Sequence, residues 1–157
     1  MGQYFKAVNI DKQEYVCPWC IGGVAKLIEW AANPQGAIFT LLLRKSDHGG
    51  GGDYFGYKTQ NLVIDTENPQ TLVDALRAGV AMEGRPIEAT EDSIVGRWAG
   101  DRVMLVGDYD SSKLWDRLPA FRNISKEVVE AWNTFMDLSE MKLKYTRCST
   151  CSEQQQN

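Results

Sequence analysis

The chain has 157 residues, 43% apolar and 24% charged, with 17 Lys and Arg against 21 Asp and Glu for a formal charge of −4. This length suffices for one domain that buries about two-thirds of its unfolded surface, and the composition excludes both a disordered chain and a disulfide scaffold. An acidic balance without a dense Lys/Arg cluster disfavours bulk nucleic-acid binding, and no apolar run approaches the ~20 residues of a membrane helix.

The opening Met1 to Lys6 has no apolar signal core, and Lys6 stands where a myristoylation signal requires Ser or Thr. A cytoplasmic location is expected, the host cytoplasm for a viral protein. Tyr4 to Ile10 is aromatic and β-branched enough for a first strand, and Asp11 to Glu14 reads as a turn. From Val24, the positions Val24, Leu27, Ile28 and Ala31 share one helical face, and Asn33-Pro34 ends the run. Ile38 to Lys45 is apolar but too short for its period to decide, and is read as a strand.

Ser46-Asp47-His48 and the glycines Gly49 to Gly52 predict a loop. Leu62 and Ile64 suggest a short strand. Asn68-Pro69 then opens a helix with Leu72, Ala75, Leu76, Gly79 and Val80 on one face, ending near Gly84. Ile94 to Trp98 and Arg102 to Tyr109 predict two strands of a hairpin turning at Ala99-Gly100-Asp101. Val103 to Val106 is continuously apolar, as in a central strand covered on both faces. Ser125 is placed to cap a last helix with Val128, Ala131, Trp132 and Phe135 inward, and Ile124 to staple against Val129. Ser152 to Asn157 reads as a disordered tail. Together these elements predict a single α+β domain over residues 1–151, a mainly antiparallel sheet packed against about three helices.

All four cysteines fall in two pairs, Cys17-Pro18-Trp19-Cys20 and Cys148-Ser149-Thr150-Cys151. Two thiolates two residues apart on a tight turn present two ligands to one Zn²⁺, and a second such pair completes a tetrahedron. Almost the entire chain separates Cys20 from Cys148, so this zinc knuckle would join the two ends of the domain. Four sulfur ligands leave no open position for substrate, which makes the role structural. The competing reading is free thiols or a redox pair. A redox pair needs its first cysteine at a helix N-terminus, whereas Gly22-Gly23 separate Cys20 from the predicted helix.

Arg97, Trp98, Asp101 and Arg102, with Asp108 and Asp110 beyond the apolar strand, form the other candidate ligand-binding set. Asp108 and Asp110 lie on one side of an extended chain and would jointly hold a cation or supply a base. Their alternative role is turn formation, with Asp110 in an Asx turn and Asp101 paired to an arginine. His48, the only histidine, lacks an evident catalytic partner. The glycine run lacks the residues of a phosphate-binding motif. Trp19, Trp98 and Trp115 have no obvious burial, and Trp98 beside Arg97 and Arg102 suits an anionic aromatic ligand.

The opening Met1-Gly2-Gln3-Tyr4-Phe5-Lys6-Ala7-Val8-Asn9 with Asp11-Lys12 carries a resemblance, as do Val95-Gly96-Arg97-Trp98-Ala99-Gly100-Asp101-Arg102-Val103, Gly107-Asp108-Tyr109-Asp110 and Ile124-Ser125. These segments resemble a family of small proteins from bacteria, phages and some eukaryotes that begin MGQYY and have no assigned activity. The resemblance implies that the hairpin is the family's centre of interest. Its members carry histidines after the first strand where this chain has Cys17-Pro18-Trp19-Cys20, which makes the zinc site particular to this sequence.

The leading expectation is a non-enzymatic, zinc-stabilised binding protein that recognises a protein partner or a small anionic, nucleotide-like ligand, for instance as a phage inhibitor or sequestering protein. A metal-dependent hydrolase of a nucleotide or phosphoester, using Asp101, Asp108 and Asp110 with Arg97 and Arg102, is the alternative. A thiol oxidoreductase using Cys17 and Cys20 is the third.

Overall fold

In the computed structural model, which describes residues 2–45, 93–136 and 139–153, the expected first strand is β1, Phe5–Asn9. Asn9 accepts a hydrogen bond from the Lys12 N–H through its side-chain oxygen, and Gln13 takes a positive φ of 52°. The chain thereby reverses into β2, Glu14–Val16, a three-residue strand that periodicity does not reveal. β1 pairs antiparallel with β2 and, on its other side, with β3, Val103–Gly107. A short β4, Arg122–Asn123, joins β2 in parallel, giving the order β3-β1-β2-β4.

Alternation along these strands sorts the core into two layers. Ala7 and Val16, which are register partners, face a cluster with Trp98, Ile124, Val128 and Trp132. Val8 and Tyr15, the neighbouring pair, face a second cluster with Leu118, Cys17, Cys20 and Cys151. The predicted α+β class is the one observed, with two antiparallel pairings and one parallel.

Five α-helical segments are present among the described residues: α1, Leu27–Ala32; α2, Ile38–Leu42; α3, Leu114–Arg117; α4, Ser125–Phe135; and α5, Ser149–Glu153. α1 forms where expected but turns the other way. Val24, Leu27 and Ile28 are 45%, 55% and 73% exposed, while Ala25 and Trp30 are buried. The Trp30 indole donates to the Phe5 carbonyl at 3.3 Å and its ring meets Phe39, and these contacts set the helix's rotation.

Ile38 to Lys45 is not a strand. Pro34 starts a 3-10 turn, Pro34–Ala37, that runs into α2, and Ile38, Leu41 and Leu42 are fully buried at helical spacing. Ile94 to Trp98 is not a strand either, and the hairpin to Arg102 does not form. The Gly96 and Trp98 N–H groups donate instead to the Leu41 and Leu42 carbonyls, the open end of α2. β3 lies at the end of the described sheet rather than in its centre, and Met104 is 43% exposed. Ile124 occupies the cap position of α4, and Ser125 is its first helical residue. α5 takes in Ser152 and Glu153. His48, the Gly49 to Gly52 loop, the strand at Leu62 and Ile64, and the helix after Asn68-Pro69 all lie outside the described residues.

Candidate metal centre

β2 delivers Cys17 directly into a 3-10 turn, Pro18–Ile21, closed by the Cys20 N–H to the Cys17 carbonyl and the Gly23 N–H to the Pro18 carbonyl. Gly22 ends the turn at φ +75°, which favours glycine, and a Cβ there would come a tight 3.1 Å from the Lys144 carbonyl oxygen. That close approach marks where the C-terminal segment crosses the turn. The Thr146 N–H donates to the Cys20 carbonyl at 2.9 Å. Three residues later α5 begins, placing Cys148 just before its first turn and Cys151 within it.

Residues 128 positions apart thus meet: the Cys148 Sγ lies 3.6 Å from that of Cys20 and 3.8 Å from that of Cys17. All four sulfurs lie within 4.8 Å of one another. Four sulfurs at about 2.3 Å from a central Zn²⁺ sit about 3.8 Å apart along each tetrahedral edge, so the set is spaced for an ion at its centre. A disulfide requires about 2.05 Å, and the four cysteines are free thiols. Cys17, Cys20 and Cys151 are buried and Cys148 is partly exposed.

Polar groups from the sheet surround the sulfurs. The Asn123 side-chain amide, on β4, donates to Cys151 at 3.4 Å and approaches Cys20 at 4.0 Å. Its carbonyl oxygen accepts from the Ser125 N–H and hydroxyl, and the Ser125 hydroxyl oxygen accepts the Cys17 N–H at 2.9 Å. The Tyr15 hydroxyl lies 3.6 Å from the Cys151 sulfur. Such contacts orient ligands and temper thiolate charge. Hydrogen bonding to Cys151 and Cys20, together with burial, pushes the Cys17 thiol up. Cys20 is pushed up to about 11, chiefly by its hydrogen bond with Cys151. Cys151, which receives hydrogen bonds from Cys17 and Cys20, is held far below the ordinary thiol value. Burial, then the bond to Cys151, raises Tyr15. Negative charges on four crowded sulfurs repel one another, and a central cation would offset them.

Beside this centre lies Lys6, only 3% exposed, its ammonium 4.6 Å from the Trp115 ring centroid, 5.2 Å from that of Tyr15 and 5.9 Å from that of Trp19. Trp19 and Trp115 therefore pack a cation of the chain itself.

The second candidate set is held within the molecule and divided along β3. Arg97 grips the Glu14 carboxylate with its guanidinium, the Nε donating at 2.9 Å, and the fully buried Trp98 donates its indole N–H to the same carboxylate at 3.0 Å. Asp101 accepts from Asn9 at 2.8 Å and pairs with Lys12, not with an arginine. Arg102 is paired with Asp11, whose carboxylate also accepts the Arg102 N–H. At the opposite end of β3, Asp108 accepts the Tyr4 N–H at 3.0 Å. Asp110 accepts from the Ser112 hydroxyl and the Leu114 N–H, the Asx turn that leads into α3. The five residues of β3 keep Asp101 and Arg102 roughly 17 Å from Asp108 and Asp110, so the six side chains do not converge.

Sequence reasoning did not single out Glu14, Tyr15 or Asn123, and it read Ser125 as a helix cap rather than as a partner of Cys17. Glu14 and Tyr15 lie on β2 and Asn123 on β4, a strand pairing without a periodic signal, and their partners come from distant segments. No protein-family model, no curated protein and no solved structure matches the chain. Among the described residues, no helix is long and apolar enough to cross a membrane.

Proposed function

We propose that this is a non-enzymatic binding protein whose ends are stapled by one structural Zn²⁺ held by Cys17, Cys20, Cys148 and Cys151, and whose ligand is a protein partner. The carrying observation is the closed set of four sulfurs within 4.8 Å. Hard cations such as Ca²⁺ and Mg²⁺ take oxygen ligands, whereas a tetrahedral thiolate set suits zinc, with iron as its competitor. Zinc in four thiolates keeps no open position for catalysis and contributes folding energy instead. A thiol oxidoreductase needs an accessible, acidic first cysteine, and Cys17 is buried with its thiol pushed up. A hydrolase would need its aspartates clustered, and they lie at opposite ends of β3.

Recognition of protein rather than a small anion is supported by where apolar surface remains. Arg97 and Arg102 are committed to Glu14 and Asp11. Beside α1 runs a groove of about 1220 Å³ lined by Phe5, Leu27, Ile28, Trp30, Phe39 and Leu105. Its one charged lining residue among those described, Lys26, is bound to the Gly2 carbonyl and stacked on Tyr4, so a neutral apolar stretch of a partner fits it.

The staple is tested by hydrogen exchange on the native protein before and after chelation. Exchange across residues 144–153 should rise by more than about tenfold on chelation while β1 and β3 keep their protection. Unchanged exchange in that segment, after metal analysis has confirmed removal, overturns the staple.

A further inference from the structure

We propose that Cys148 is a peroxide-reactive modification site, and that its oxidation exchanges the metal staple for a Cys20–Cys148 disulfide, a site that presupposes the zinc tetrathiolate proposed above. Cys148 is the partly exposed member of the set, and Cys17, Cys20 and Cys151 are buried. An oxidant arriving from solvent meets this residue first. The Asn123 amide is aimed at Cys151 and Cys20 and the Tyr15 hydroxyl lies against Cys151, while Cys148 meets the sulfurs of Cys20 at 3.6 Å and Cys17 at 3.8 Å. A reactive thiol with a resolving thiol at that range is the arrangement from which disulfides form.

The oxidant is a hydroperoxide. The Cys148 thiolate attacks one oxygen of hydrogen peroxide, the O–O bond breaks, and a sulfenic acid and hydroxide result. The Cys20 thiolate then attacks the sulfenic sulfur, forming the S–S bond and expelling a second hydroxide. Two protons from solvent convert both hydroxides to water. Two thiolates lose two electrons in all, and peroxide is reduced to two waters. Zinc, left with Cys17 and Cys151, departs. Because Cys20 and Cys148 belong to different knuckles, the new bond keeps the C-terminal segment fastened to the 3-10 turn after the metal has gone.

The test treats native, zinc-loaded, full-length protein with hydrogen peroxide, follows zinc with a chromogenic chelator, and maps crosslinks by non-reducing peptide mass spectrometry. Zinc release in step with a Cys20–Cys148 crosslink, one ion per crosslink, is expected. In Cys20→Ser the crosslink should move to Cys17–Cys148, whose sulfurs lie 3.8 Å apart. Release accompanied by crosslinks within each pair, Cys17–Cys20 and Cys148–Cys151, overturns the proposal, as does retention of zinc with all thiols reduced under excess peroxide. Protein that carries no zinc before treatment overturns the tetrathiolate reading itself, and this site with it.

Discussion

Glu14 shows how much of this chain's charge is spent on holding it together. Its side chain is 3% exposed, yet it is ionised because the Arg97 and Trp98 donors outweigh the burial that would raise its pKa, leaving it below the ordinary carboxylate value. Glu14→Ala would strand the mostly buried Arg97 guanidinium and should cost about 3–5 kcal/mol in urea unfolding at neutral pH. A carboxyl whose folded pKa lies below its unfolded value of 4.5 stabilises fully above that value and loses its effect as pH falls through the folded one. The wild-type and Glu14→Ala unfolding energies should therefore converge in acid, and a gap that persists there would refute the ion-pair account. Asn123 is the corresponding residue at the sulfur centre. Asn123→Ala removes the donor to Cys151 and should weaken zinc binding about 10- to 100-fold in a competition titration, with the fold retained. The cysteines were legible because a pair of thiols two residues apart is a local signal. Asn123 and Glu14 were not, since their chemistry depends on neighbours supplied by distant segments.

At the scale of elements, segments with a distinct local signal were legible and nearly continuous apolar segments were not. β1 and α4 carry clear patterns and were placed within a residue or so. α2 is apolar except at Thr40 and is tied to the turns at 94–98 by backbone hydrogen bonds, and so short an apolar run does not separate strand from helix. α1 was found but its inward face was not, because Trp30 outweighs the smaller apolar residues in choosing the buried side. The face it leaves exposed makes a direct prediction. Native protein should bind a hydrophobic fluorescent dye at the α1 groove, and Leu27→Glu with Ile28→Glu should lower that signal several-fold. Far-UV circular dichroism should not change, since exposed substitutions cost within about 0.5 kcal/mol. Dye binding that is absent in the wild type, or equal in the double variant, would remove the groove as a recognition surface.

Across the whole molecule, the sheet brings the two ends of the chain to one place. β2 hands the first cysteine pair to the second core cluster, the Thr146 N–H to Cys20 carbonyl bond docks the returning segment, and α5 presents the second pair. The α+β class and the cysteine centre were readable from sequence, because composition and thiol spacing survive any arrangement of strands. The strand order was not, because β3 pairs with β1, far away in sequence. The central claim is that one zinc ion closes this arrangement. Metal content and free-thiol titration on native full-length protein, purified without chelator, test it most directly. One zinc per chain with all four thiols protected until the metal is removed is the predicted result; no zinc, with Cys17 or Cys20 freely reactive, would contradict it.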